Sequence, residues 1–147
     1  MVDDQESSSL RYTLVLSIEH PTMDPAIISS KLGLEPRRSW AAGDQRTTPR
    51  GLRLARTNKT SLWRNWIEIE GRRHFSKDVS EVLLHLQEKA DFIRELTDSG
   101  GSIMLYLQLP GDVNIGDELK WADLRQLAML KIDLGIEVFP KFEINAG

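Results

Sequence analysis

Two hydrophobic periods alternate along this chain, and any fold that buries its apolar residues must respect the alternation. Tyr12, Leu14, Leu16 and Ile18 interleave with Thr13, Val15, Ser17 and Glu19, the period-two pattern of a strand with one apolar face. From Leu62 to Glu70 the pattern returns, with Trp63, Ile67 and Ile69 on one parity and Arg64, Trp66, Glu68 and Glu70 on the other. Val79, Val82, Leu83, Leu86, Ala90, Ile93 and Leu96 then recur at steps of three and four, which predicts one continuous main helix of about five turns. Ile103 to Leu109 restores the strand period, Trp121, Leu124, Leu127 and Ala128 mark a further helix, and Leu134, Ile136 and Val138 mark a last strand.

The punctuation agrees with these periods. Asp24-Pro25 offers a capping carboxylate and a residue whose missing N–H costs nothing at the first helical position, so a short helix through Ile27, Ile28 and Leu32 should follow and end at Gly33. A weak strand is expected near Arg38 to Ala41. Residues 41–60 hold Gly43, Pro49 and Gly51 and read as a long irregular excursion or mobile hairpin. Ser76 is the expected cap of the main helix and Gly100-Gly101 its terminator. The resulting order is β-α-(β)-β-α-β-α-β. Helices between strands favour an α+β fold, a ferredoxin-like α/β sandwich with a mainly antiparallel sheet and its helices on one face. Leu32-Gly33-Leu34-Glu35 and Leu134-Gly135-Ile136-Glu137, each after a strand and a helix, suggest a short internal echo.

At 147 residues the chain suits one core, expected at 10–144 behind a polar, disordered tail at 1–9. That tail is acidic where a secretory signal would be basic and then apolar, and the run Ile103 to Leu107 is far below the ~20 residues that cross a bilayer. The absence of cysteine excludes disulfides, thiolate metal sites and cysteine nucleophiles, and suits a cytoplasmic location.

Charge is unevenly divided. From Arg37 to Arg73, ten basic residues stand against three acidic ones, a balance of +7, while the remainder carries 9 basic and 19 acidic residues, or -10. Arg37, Arg38, Arg46, Arg50, Arg53, Arg56, Arg64, Arg72 and Arg73, with Trp66, are therefore the candidate partner-binding residues. Such a division steers an oppositely charged partner or pairs with the acidic surface of a second copy. Guanidiniums neutralise phosphates and indoles stack on unpaired bases, so Trp40, Trp63 and Trp66 raise single-stranded nucleic acid as an alternative. The acidic whole chain, of pI ≈ 5.6, argues against it. Trp63 shares parity with Ile67 and Ile69 and is expected in the core.

No catalytic constellation is visible. His20, His74 and His85 lack the spacing of zinc ligands, so no metal or cofactor is expected. His85 reads as a surface or boundary residue. Glu68 and Glu70 lie about 7 Å apart on one strand face, but Arg64 and Arg72 share their parity and a solvated face of alternating charge accounts for them. There is no Gly-x-Ser-x-Gly elbow, Walker sequence or Gly-x-Gly-x-x-Gly loop. An enzyme would need a site that only folding assembles.

Several landmarks together carry a resemblance: Asp24-Pro25, Lys31-Leu32-Gly33-Leu34-Glu35-Pro36, Gly43-Asp44, Trp66 in its strand, and Leu134-Gly135-Ile136-Glu137-Val138-Phe139. The chain resembles the bacterial domain of unknown function 4279 over roughly residues 10–140. The resemblance implies a small bacterial cytosolic α+β protein and transfers no activity. Phe139 stands where a tyrosine is expected, and 41–60 is unusually rich in arginine. The expected role is a non-enzymatic interaction domain, of immunity or accessory type, that engages an acidic protein.

Overall fold

The computed structural model describes residues 11–70 and 74–140. The expected tail at 1–9, and with it Arg72 and Arg73, lies outside the described residues. A five-stranded sheet is built from β1 (Arg11–His20), β2 (Arg38–Trp40), β5 (Ser61–Glu70), β6 (Ser102–Pro110) and β7 (Ile132–Phe139), in the order β2-β5-β1-β6-β7. β1 is antiparallel to β5 and β6, β2 is antiparallel to β5, and only β6 and β7 run parallel. The fold is thus α+β with a mostly antiparallel sheet.

The helices are α1 (Pro25–Leu32), α2 (Ser76–Gln87), α3 (Ala90–Asp98) and α4 (Trp121–Met129). Tyr12, Leu14, Leu16 and Ile18 of β1, Trp63 of β5 and Ile103, Leu105 and Leu107 of β6 join buried residues of all four helices in one cluster. The helical layer therefore covers a single sheet face. Trp63 is fully buried, as its parity required, and its Nε1 donates to Ser29 Oγ at 2.9 Å.

Of the two expectations for residues 41–60, an irregular excursion or a hairpin, the structure has the hairpin: β3 (Gln45–Thr47) and β4 (Arg53–Thr57) pair only with each other. The expected single main helix is two, because the chain turns at Glu88 and Lys89, where the Lys89 N–H reaches back only three residues to the Leu86 carbonyl at 2.9 Å. The apolar stripe keeps its phase across the turn, and no glycine or proline marks it, so the periodicity could not disclose it.

The start of α2 also differs from expectation. Ser76 does not cap it; the first helical N–H, that of Ser76, donates to Asp117 Oδ2 at 2.9 Å, so the cap comes from the loop before α4. Gly100 and Gly101 end α3 as expected, in a Schellman arrangement with Gly100 N–H donating to Thr97 O at 3.1 Å and Gly101 N–H to Leu96 O at 2.9 Å. The Leu-Gly-x-Glu echo is not structural: Gly33, at φ 67, terminates α1, whereas Gly135 sits within β7 beneath the Tyr106 ring.

Candidate functional site

Residues from the basic middle of the chain divide into two neighbouring groups. On the sheet face that carries no helix, the register places Trp66, Val15, Tyr106 and Gly135 in one transverse row, and Arg38, Arg64, Ser17 and Met104 in the next. Arg37 stacks its guanidinium 5.5 Å from the centre of the Trp66 ring and reaches Glu68 at 3.4 Å. Arg64 Nε donates to Ser17 Oγ at 3.1 Å. Glu68 and Glu70 do form a face of alternating charge, but their partners are Arg37 and Arg11, brought from the loop before β2 and from β1, and not the Arg64 that shares their strand.

The second group surrounds the hairpin. Arg46 and Arg56 meet Lys59 and Trp40 around a cleft of about 670 Å³ completed by Ala55, Thr57, Asn58 and Thr60, with no carboxylate in its lining. Trp40 is held there by Arg38, whose guanidinium lies 4.9 Å from the ring centre, and by its own Nε1, which donates to the Thr60 carbonyl at 3.1 Å. Arg50 and Arg53 are exposed on the same hairpin without lining the cleft. Among the described residues Arg46, Arg50, Arg53 and Arg56 make no ion pair. Among the described residues the hairpin arginines are thus left without an ion pair, and the positive charge is spread over the hairpin and an adjoining sheet face.

A third site was not visible in the linear pattern. Ile67 and Ile69 of β5, with Leu14, Leu16, Leu34, Val82 and Leu86, wall an apolar pocket of about 240 Å³ between the sheet and α2. Asp78, Glu81 and His85, three and four residues apart and so on one helix face, supply its polar groups together with Asn65. Asp78 is buried and accepts a hydrogen bond from the buried Tyr12 hydroxyl. His85 Nε2 lies 3.0 Å from the Leu32 carbonyl, which can only accept, so this nitrogen carries the proton. The i, i+3, i+7 spacing of the three polar residues was the only available signal, and on a surface helix it looks the same as an ordinary wet face.

His20 is a structural joint: its Nδ1 accepts from the N–H groups of Thr22 at 3.0 Å and Met23 at 2.8 Å, while Nε2 donates to Ser99 Oγ at 2.8 Å. Among the described residues no three histidine, aspartate or glutamate side chains are grouped to hold a metal ion, and no helix is long and apolar enough to cross a membrane.

Fold and site together define a small α+β domain with a basic hairpin at one sheet edge. The model of the domain of unknown function DUF4279 matches residues 10–139, and the chain belongs to that family. No curated protein and no solved structure matches the chain.

Proposed function

We propose that this protein is a non-enzymatic interaction domain of the bacterial cytosol, of accessory or immunity type, whose basic hairpin and adjoining sheet face dock an acidic protein. The observation that carries the reading is the convergence of Arg46, Arg56 and Lys59 on a carboxylate-free cleft beside Trp40. Four hairpin arginines that make no ion pair among the described residues leave a field that raises association rates with a negatively charged partner and decays within about 10 Å at ordinary salt. Nucleic acid is the weaker partner class. Trp63 is buried, and Trp40 and Trp66 each have one ring face taken by an arginine, so at most one face of each is left to stack on an unpaired base.

The test is a fluorescence titration with a fluorescein-labelled Asp/Glu-rich peptide and, separately, with labelled single-stranded DNA and RNA, across a salt series. Peptide binding that weakens with salt and drops at least tenfold in the Arg46→Glu/Arg56→Glu variant is the expected result. Binding of the oligonucleotides alone transfers the surface to nucleic acid; binding of neither at low salt removes the docking role.

A second reading, of an enzyme or ligand-binding protein with a site assembled only by folding, is favoured by the pocket under α2. Its walls are apolar, its polar groups include two carboxylates, and no lysine or arginine lines it, which suits a small apolar cation. NMR titration with phenethylamine and phenylacetate separates the cases. Shifts at Ile67, Ile69 and Val82 with the amine only, lost in Ile67→Trp, are expected; equal shifts with both probes, or none, end this reading.

A further inference from the structure

Six of the eleven exposed large apolar side chains among the described residues belong to two consecutive elements: Trp121, Leu124 and Met129 of α4, and Ile136, Val138 and Phe139 of β7. The two elements pack on each other. β7 is the last strand of the sheet, bound to β6 on one side and to no described strand on the other. Ile136 and Val138 share the parity of Ile132, which faces the helical layer, and stand beside the buried Leu107 and Leu109. They are nevertheless 60% and 61% exposed. The core thus takes in Ile132 and Leu134 at the start of the edge strand and stops short of its outer half. Free edges are usually guarded by charged residues, lysine above all, by proline or by being very short; the eight residues of β7 hold no lysine or proline, and its two charges, Asp133 and Glu137, both lie on the parity opposite to Ile136 and Val138.

We infer that β7 is a self-pairing edge, and that two copies join antiparallel about a two-fold axis through Ile136, with α4 flanking the seam. Axes at Leu134, Ile136 and Val138 all keep the apolar parities of the two copies together, and of these the one at Ile136 overlaps the most of β7 and pairs both of its exposed side chains, Ile136 and Val138, within the strand. With the axis at Ile136, Leu134 faces Val138, Gly135 faces Glu137 and Asp133 faces Phe139, so apolar residues meet on the helical side and no like charges are opposed. An axis at Gly135 sets Asp133 against Glu137 twice, and an axis at Glu137 sets that residue against its own copy. A slip of one residue in one strand alone turns the apolar parity of one copy against the polar parity of the other. The product is a continuous sheet of twice five strands. Because the basic cleft hangs from β2 at the opposite edge, the pair carries one cleft at each end, which makes it bivalent toward an acidic partner. The pairing itself does not depend on what the clefts bind.

The chain has no cysteine, so single cysteines report the seam cleanly. Opposed residues of an antiparallel pair lie about 4.5–5.5 Å apart at Cα, within disulfide reach. Under mild oxidation Ile136→Cys is expected to give a covalent dimer, Leu84→Cys on exposed α2 is not, and Leu134→Cys should cross-link with Val138→Cys in a mixture but not with itself. In sedimentation equilibrium the wild type is expected as a concentration-dependent dimer and Ile136→Lys as a monomer with an unchanged circular dichroism spectrum. A wild type that stays monomeric up to about 1 mM overturns the inference. So does a dimer that survives Ile136→Lys, or cross-linking from Leu84→Cys as efficient as from Ile136→Cys.

Discussion

A single imidazole ties the end of β1 to the end of α3. His20 accepts two backbone N–H groups through Nδ1 and donates through Nε2 to Ser99, which in turn donates to the Glu95 carbonyl at 2.8 Å. His20→Ala leaves both amides without this acceptor and should cost about 1–3 kcal/mol in urea unfolding, with little change in slope. Gly101 matters for a different reason: a Cβ there would lie 2.7 Å from the Leu96 carbonyl oxygen and 2.4 Å from its Cδ2, and the carbonyl is fixed by the helix end. Gly101→Ala is therefore expected to lower the melting temperature by several degrees, on the order of 1–3 kcal/mol. Asp117 sets a pH dependence. Hydrogen bonds from Ser76, aided by the Glu118 N–H and by His74, hold its carboxyl below the usual carboxylate range against the opposing effect of burial. A carboxyl that ionises more readily when folded stabilises the fold above its unfolded-state value, near 3.8, and loses that contribution as pH falls through the lower folded value. Asp117→Ala should cost about 1 kcal/mol at pH 7 through the lost cap and make acid unfolding below pH ~4 less steep. Sequence foresaw the glycine terminator, because αL geometry is a local demand. It did not foresee the cap, because the acceptor arrives from 41 residues away.

Among the elements, legibility followed burial. β1, β5 and β6 were readable because their alternation is enforced by a covered face, and α1 because its cap and terminator are local, with Asp24 Oδ1 accepting from the Ala26 N–H at 2.9 Å. α4 and β7 were located correctly, but their apolar periodicity implied burial that the fold does not give them: in α4 only Leu127 is buried, and Ile136 and Val138 of β7 are open. The β3–β4 segment reads in sequence only as an irregular excursion or mobile hairpin, without strand bounds, because every residue of both strands is exposed and no covered face imposes a period. That independence has a measurable consequence. Replacing residues 45–57 by a short Gly/Ser link should leave the main sheet folded, with a melting temperature within about 4 °C of the wild type, the shift that a loss of about 1 kcal/mol produces in a domain of this size. A collapse of the near-ultraviolet signal of the buried Trp63 in that variant would instead make the hairpin part of the core.

At the scale of the whole molecule, the basic hairpin and the largest group of exposed apolar side chains lie at opposite ends of one sheet. The basic hairpin hangs from the β2 side and the bare apolar edge is β7. Raising salt should therefore weaken peptide docking while leaving β7-mediated pairing unchanged or stronger, a contrast readable by anisotropy and sedimentation on the same sample. The amino-acid order by itself determined the class of fold, the core parity of three strands, the burial of Trp63 and the +7 balance of the middle segment, since each follows from local periodicity or simple counting. Only the tertiary structure decided that Arg46, Arg56 and Lys59 share a cleft, that Glu68 is answered by Arg37, that Asp78 and His85 edge an apolar pocket, and that the outer half of β7 is left uncovered. These depend on which residues distant in the chain become neighbours and where the helical layer ends, and no pattern along a single segment encodes either.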